Sequence, residues 1–179
     1  KGKDFLELRG FGGVPSLRSG CIDAGESGTL LRMLLPIAAL GKGKYLLNGK
    51  GTLLKRPNRP IAEALLSLGV ALRGKDSEFR LPIKIDGKGY ISGGEVSASA
   101  GISSQTISSL LTIAPLARRD VTIRVKDRVV SKPYIDITID VLKWSGIKVR
   151  RRGYKKFFIS AGQSYKPKND FVIHGDYSS

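Results

Sequence analysis

Residues 25–40, Gly25-Glu26-Ser27-Gly28-Thr29 followed by LLRMLLPIAAL, have a second copy 76 residues later. That copy, residues 101–116, reads Gly101-Ile102-Ser103-Ser104-Gln105 followed by TISSLLTIAPL. The two copies share apolar and backbone-shaping residues but differ in the polar residues where elements begin. This division predicts a duplicated scaffold whose element starts are specialised to hold a ligand. The first-copy residues that recur unchanged at this offset are Gly25, Leu34, Leu35, Ile37, Ala38, Leu40, Pro57 and Ile61.

Each copy predicts the same order of helices and strands. Apolar residues at helical spacing predict a first helix over residues 30–40 and, in the second copy, over residues 104–116. Pro36 predicts a kink or a short first segment in the earlier helix. A second helix is expected to begin at Arg56-Pro57 and again near Pro133, because proline is tolerated in a first helical turn. Strands are predicted at residues 20–23, 45–47, 70–73, 79–85 and 90–91, and then at 95–99, 121–125, 147–149 and 157–160.

The predicted order is a repeated βαβαββ unit, so the fold class is α/β. We expect one domain over residues 1–179, with units at about 25–100 and 101–175 and a partial unit at 1–24. Residues 176–179 would begin a connection to a second domain. Both ends of the sequence therefore suggest an excerpt from a longer protein.

Composition limits the class of protein. The 179 residues allow one large or two small domains, and 41% hydrophobic residues are enough for a core. The longest apolar run, residues 30–40, is shorter than the roughly 20 residues that a membrane span needs. The single cysteine, Cys21, cannot form an internal disulfide and favours a reducing compartment. The net charge of +16 would suit nucleic acid, an anionic membrane surface or small anionic substrates. The densest basic run, at 150–156, is predicted to be a solvated hairpin turn.

Two predicted helix starts have features of anion sites. Glycine at position 28 would let a phosphate or carboxylate approach backbone N–H groups where the helix dipole adds positive charge. In the second copy, Ser103, Ser104 and Gln105 offer two hydroxyls and an amide, which suit a phosphate or a polyol. An ordinary capped helix start is the alternative at both places, although one serine would suffice for a cap.

Cations precede the second helix of each copy. Arg56 and Lys132 occupy equivalent places, where a positive charge opposes the helix dipole, so an anionic ligand is the more economical explanation. Ser131 and Tyr134 flank Lys132 and add hydroxyls. With one cysteine and one histidine, His174, the sequence argues against a metal cluster or a histidine-based triad.

These residues resemble the 5-enolpyruvylshikimate-3-phosphate synthase family (3-phosphoshikimate 1-carboxyvinyltransferase). The motifs occur in the order and spacing of that family over nearly the whole chain. The SSQ and SKPYIDIT motifs separate the chain from the related UDP-N-acetylglucosamine enolpyruvyl transferase. The matching segments are Gly25-x-Ser27-Gly28-Thr29, Arg56-Pro57, Ser103-Ser104-Gln105, Ala114-Pro115-Leu116-Ala117, residues 131–138 and Gly175-Asp176-x-Ser178-Ser179.

The resemblance implies a transferase of the shikimate pathway, in aromatic amino-acid biosynthesis. The family enzyme transfers the enolpyruvyl group of phosphoenolpyruvate to the 5-hydroxyl of shikimate 3-phosphate and releases phosphate, with no metal or organic cofactor. It has the enolpyruvyl transferase fold, in which each of two domains packs three βαβαββ units with pseudo-three-fold symmetry. The resemblance also implies a cytoplasmic monomer with no membrane or nucleic-acid partner.

The resemblance further implies two overlapping sets of binding residues. Gln105 and Arg56 would support catalysis, and no residue of this chain is implied with certainty as the catalytic group itself. For shikimate 3-phosphate the set is Ser103, Ser104, Gln105, Ser131 and Tyr134; for phosphoenolpyruvate it is Gly28, Arg56 and Gln105.

The sequence also departs from the family pattern. Glu26 stands where the family usually has Asn, and its carboxylate would repel a phosphate unless it turns away or pairs with a cation. Met33 stands where many members carry Pro. The family's N-terminal Lys-Ser motif and its second domain have no match, so we expect the isolated chain not to turn over. The alternative is a stand-alone basic module that binds nucleic acid or another anion with the same fold.

Overall fold

A computed structural model describes residues 10–16, 20–101 and 103–166. The first unit contains β1 (Cys21–Asp23), α1 (Gly28–Leu40), β2 (Lys42–Asn48), α2 (Arg59–Ser67), β3 (Ala71–Arg73) and β4 (Ile83–Lys88), with a 3-10 segment at Gly51–Lys55. The second contains β5 (Gly94–Ala98), α3 (Gln105–Ile113), β6 (Val121–Val125), α4 (Lys132–Trp144), β7 (Val149–Arg152) and β8 (Lys156–Ile159), with a 3-10 segment at Ala114–Leu116.

The two units have the same topology, which confirms the predicted βαβαββ repeat. The first sheet has the order β1-β2-β4-β3 and the second the order β5-β6-β8-β7. In each, the first two strands are parallel and the remaining pairs are antiparallel. The first helix of each unit is the crossover between its parallel strands, as parallel pairing requires. The sequence repeat therefore corresponds to a structural repeat.

The core lies between the sheets and the helices. On β4, Ile83 and Ile85 are buried while Lys84, Asp86 and Lys88 are exposed, the alternation expected of a sheet with one solvated face. Helix α1 packs against α3, and α3 packs against α4. Each fully buried aliphatic side chain in this core contributes about 1.5–3 kcal/mol relative to exposure. Packing α1 on α3 brings the two copies of the repeat into contact.

Several predicted boundaries were wrong. The helix predicted over residues 30–40 is present as α1 (Gly28–Leu40), and Pro36 does not shorten it. Helix α2 begins at Arg59, with Pro60 in its first turn, so Arg56 lies in an extended segment before the helix. The basic run is not all turn, because residues 150–152 belong to β7 and only 153–155 form the turn. No strand forms at residues 90–91 in the described chain, although Ile91 is fully buried.

Other predictions fall on residues outside the described ranges. These include residues 1–9 and 17–19 of the partial unit, His174, and the segment 175–179. Within the described residues, no helix has the length and apolar character needed to cross a membrane.

Candidate anion-binding site

The N-termini of α1 and α3 lie side by side. Gln105, the first residue of α3, donates a hydrogen bond from Nε2 to Thr29 Oγ1 at 2.7 Å. These two residues occupy equivalent positions, 76 residues apart, in the two copies of the repeat. Ser27 caps α1 by accepting a hydrogen bond from the Leu30 N–H. Because helix N-termini carry partial positive charge, the pair forms a region that favours an anion.

Arg32 joins this region to the segment before α2. Its Nη1 donates to Gln105 Oε1 at 2.6 Å, and its Nη2 lies 3.5 Å from the carbonyl oxygen of Pro57. Arg32 was not among the site residues predicted from the sequence. The sequence does contain a sign of its role, because Arg32 is the one arginine in an apolar helical stretch. It lies one turn after Gly28 and therefore on the same face of the helix.

Two guanidinium groups converge beside Gly28. A Cβ added to Gly28 would lie 3.1 Å from Arg56 Nη1 and 3.9 Å from Arg32 Nη1. Burial lowers the pKa of Arg32 from its usual value, and repulsion from the Arg56 charge lowers it further. Neither guanidinium is in an ion pair within the described chain; the arginines that are paired with carboxylates are Arg59, Arg80, Arg124 and Arg151.

A cavity of about 250 Å³ lies beside these groups. Its lining includes Arg32, Arg56, Asn58, Ser103 and Thr106, so it draws on both copies of the repeat. Guanidinium, amide and hydroxyl groups that face one cavity from three different elements can surround a small anionic ligand. The cavity is therefore the candidate functional site.

Asn58 fixes the position of Arg56. Its Nδ2 donates to the carbonyl oxygens of Arg56 at 3.2 Å and Phe79 at 3.1 Å, and only 1% of the residue is exposed. Its Oδ1 is buried and has no hydrogen-bond partner. The two donated bonds determine the orientation of the amide, and they hold the backbone that carries Arg56 against the loop before β4.

The serines before α3 have different environments. Ser103 lines the cavity, and its Oγ accepts a hydrogen bond from the Gln105 backbone N–H at 3.2 Å. Ser104 is 4% exposed and its carbonyl accepts the first helical bond, from the Ser108 N–H. The structure thus brings Ser103, Gln105, Gly28 and Arg56 together, with Ser104 buried at the helix start behind them.

Ser131 and Tyr134 lie at the N-terminus of α4, away from the lining of this cavity. Ser131 has a left-handed backbone (φ 57°), and Tyr134 is 54% exposed. Between them, Lys132 places its Nζ 5.1 Å from the centre of the Tyr154 ring. Hydrogen bonds from Tyr154 and then Arg151 to Asp136 lower the pKa of that carboxyl and fasten α4 to the β7–β8 hairpin.

Two further observations bear on ligand chemistry. A Cβ on Gly51 would meet the Glu26 carboxylate, whose Oε2 would be 2.7 Å away. Glu26 therefore lies against the 3-10 segment, and it is not among the residues that line the cavity. Within the described ranges, no group of three or more His, Cys, Asp or Glu side chains could hold a metal ion.

Comparison with known proteins decides the family. Residues 4–179 match the family model of EPSP synthase (3-phosphoshikimate 1-carboxyvinyltransferase). This chain belongs to the EPSP synthase family. The match covers both units of the repeat and every residue that was assigned to a binding set.

Curated relatives named 3-phosphoshikimate 1-carboxyvinyltransferase are similar to this chain along most of its length. The protein of Photobacterium damsela subsp. piscicida is 40% identical over 159 residues, which are 89% of this chain and 37% of the relative. The protein of Methanosarcina mazei is 38% identical over 179 residues, which are 99% of this chain and 41% of the relative. The chain thus spans about two fifths of the length of these relatives.

A solved structure supports the fold. EPSP synthase from Acinetobacter baumannii superposes with a TM-score of 0.71 at 22% sequence identity, covering 82% of this chain and 32% of that protein. At this identity the likeness concerns the fold alone, and it agrees with the α/β repeat of the enolpyruvyl transferase fold.

Proposed function

We propose that this chain provides the shikimate 3-phosphate-binding domain of an enzyme that transfers the enolpyruvyl group of phosphoenolpyruvate to the 5-hydroxyl of shikimate 3-phosphate, releasing phosphate. Family membership supports the reaction class. The observation that carries the proposal for this chain is the convergence of Arg32 and Arg56 beside Gly28 without a carboxylate partner.

Two unpaired guanidiniums at a helix N-terminus are costly without an anion. Each repels the other, and the half-buried Arg32 has lost part of its hydration. A bound phosphate or carboxylate would remove that repulsion and accept charge-assisted hydrogen bonds, which contribute about 1.5–3 kcal/mol each. Both proposed substrates are anions of this kind. The site geometry therefore favours small phosphorylated acids over neutral ligands.

The proposed roles follow the two sets of residues. Arg56, the backbone at Gly28 and the amide of Gln105 would hold phosphoenolpyruvate. Ser103, Ser104, Gln105, Ser131 and Tyr134 would hold shikimate 3-phosphate. The family resemblance assigns Gln105 to both sets, and its position at the start of α3, in contact with α1, supports that assignment. Arg56 and Gln105 would stabilise charge during addition and elimination and would orient the two substrates, rather than transfer protons.

Titration of the ¹⁵N-labelled chain with shikimate 3-phosphate tests the proposal. We expect saturable shifts at the start of α3, and at least about tenfold weaker binding after Gln105→Ala, since a hydrogen bond to a charged ligand is lost. Gln163→Ala is the matched control, because the Gln163 carboxamide bonds the backbone of Lys148 and Ser160 and, among the described residues, makes no hydrogen bond to α1 or α3. Equal affinity of Gln105→Ala and the unmodified chain would contradict the proposal.

Duplex DNA, at low and at high salt, is the second arm of the titration. The alternative function, a basic module for nucleic acid, is not favoured by the family comparison. The nucleic-acid function would be supported if the chain bound DNA with a steep salt dependence and showed no saturable response to shikimate 3-phosphate.

The remaining features of the proposal concern the assembly. We propose that a second domain of the same enzyme closes over this site and that the enzyme is a cytoplasmic monomer. The predicted units, 25–100 and 101–175, each leave out their first strand, because β1 (Cys21–Asp23) begins the first sheet and β5 (Gly94–Ala98) begins the second.

A further inference from the structure

We propose that Arg32 is a positioning residue that determines which end of the Gln105 carboxamide faces the ligand. The inference rests on the proposed function, because Gln105 is one of its binding residues. It adds a residue that neither binding set contains.

Within the described chain, the hydrogen bonds of Gln105 leave one N–H donor free, while Arg32 holds the carboxamide oxygen. A carboxamide has one oxygen acceptor and two N–H donors. Oε1 accepts from Arg32 Nη1 at 2.6 Å, and one N–H of Nε2 donates to Thr29 Oγ1 at 2.7 Å. No other acceptor for Nε2 is found within the described residues. The second N–H can therefore donate to an oxygen of a phosphate or carboxylate.

Arg32, and not Thr29, selects this orientation. The Thr29 hydroxyl can either donate or accept, so it would tolerate a carboxamide rotated by half a turn. A guanidinium can only donate, so it holds Oε1 and excludes the rotated form. If the carboxamide rotated, its oxygen lone pairs would face the anion and repel it. Arg32 thus ensures that the Gln105 carboxamide presents an N–H donor, and not its oxygen, to the ligand.

The shape of the guanidinium matters as well as its charge. Arg32 directs Nη1 to Gln105 while Nη2 approaches the Pro57 carbonyl oxygen, next to the backbone of Arg56. Lysine presents one ammonium group and cannot span both contacts in a fixed plane. Burial and the Arg56 charge both lower the pKa of Arg32, so the position opposes a cation and no carboxylate offsets this. A role in orientation accounts for an arginine there.

A double-mutant cycle tests the proposal. Binding of phosphoenolpyruvate, with shikimate 3-phosphate present, is measured for the unmodified chain, Arg32→Lys, Gln105→Ala and the double variant. We expect Arg32→Lys to weaken binding about tenfold when Gln105 is present and less than about twofold when residue 105 is alanine. Arg124→Lys is the matched control, because Arg124 pairs with Glu95 on the second sheet.

Two results would overturn the proposal. If Arg32→Lys binds as the unmodified chain does, a single ammonium donor is enough and the planar guanidinium does not position the carboxamide. If the effects of Arg32→Lys and Gln105→Ala multiply, Arg32 acts on the ligand directly and not through Gln105. Arg32→Gln replaces Arg32→Lys if the lysine variant does not fold, because a glutamine can accept as well as donate and no longer excludes the rotated carboxamide.

A measurement without ligand separates this inference from the proposed function. Hydrogen exchange of the Gln105 carboxamide, assigned by its loss in Gln105→Ala, should be at least about fivefold faster in Arg32→Lys. If no variant binds either substrate, the proposed function fails while this comparison still decides whether Arg32 holds the carboxamide. Unchanged exchange would refute the positioning role whatever the binding result.

Discussion

Gly28→Ala should weaken anion binding without destabilising the fold. Gly28 begins α1 with a helical backbone, so alanine is compatible with its conformation and is the better helix former by up to about 1 kcal/mol. The added Cβ would lie 3.1 Å from Arg56 Nη1 and 3.8 Å from Leu53 Cδ1. The distance to Leu53 is an ordinary van der Waals contact. The distance to Arg56 is short, so the flexible end of that side chain must move away by a few tenths of an ångström.

The loss in affinity follows from the space that the methyl group takes. An oxygen that approached the backbone at Gly28 would meet this methyl group, and Arg56 would have moved from its original position. Loss of one hydrogen bond to a charged group costs about 1.5–3 kcal/mol, so phosphoenolpyruvate should bind about 10- to 150-fold more weakly. The free energy of unfolding should stay equal or rise slightly.

Isothermal titration with phosphoenolpyruvate and urea unfolding, on the same samples, measure both quantities. Gly10→Ala is the control, because a Cβ there would have nothing within 4 Å. The reasoning is refuted if Gly28→Ala keeps its affinity, or if affinity and stability fall together, since the second result would mean that α1 itself had been disturbed.

Two other predictions concern the support of the site and its pH dependence. Asn58→Leu should lower the free energy of unfolding in urea by about 1–3 kcal/mol, because the carbonyls of Arg56 and Phe79 lose their donor; an unchanged midpoint would exclude this role for the amide. Burial raises the pKa of Tyr165 to about 12, so the stability that its neutral phenol contributes is fully present below its unfolded pKa near 10 and is lost as the pH rises towards 12. A fully shielded phenol would lose about 2.7 kcal/mol over this shift, but Tyr165 is 37% exposed, so the loss is smaller. We expect the difference in free energy of unfolding between the unmodified chain and Tyr165→Phe to fall by about 1 kcal/mol between roughly pH 9 and roughly pH 11. A difference that stays constant with pH would contradict this prediction.

The elements that the sequence predicted well are those with long apolar periodicity. Helix α1 and strand β6 were recognisable because buried residues recur along them at helical or alternating spacing. The start of α2 was misplaced because Pro57 also fits a first helical turn. In the structure, Arg56 is extended (φ −76°, ψ 130°), as residues before proline usually are, and the contact of Asn58 with Phe79 holds that conformation. The contact between Asn58 and Phe79 joins residues far apart in the sequence, so no local sequence pattern reveals it.

The site itself was predictable only in part. Gly28, Arg56, Ser103 and Gln105 were identified from helix-start chemistry and from the family resemblance, and the structure places them around one region. Arg32 was missed because its function arises from contact between the two copies. A sequence shows the helix face on which an arginine lies, but not which amide from another unit meets it.

The duplication explains why the site is asymmetric. Adding 76 to Thr29 gives Gln105, and the two side chains bond each other where α1 contacts α3. Adding 76 to Arg32 gives Ser108, which is 3% exposed and whose Oγ accepts a hydrogen bond from Thr138 Oγ1 at 2.8 Å. An arginine at that buried position would place an unpaired charge between α3 and α4, at a cost that burial would increase. Duplication therefore supplied two adjacent helix N-termini, and divergence placed the two arginines that line the cavity in the first copy and the Gln105 amide in the second.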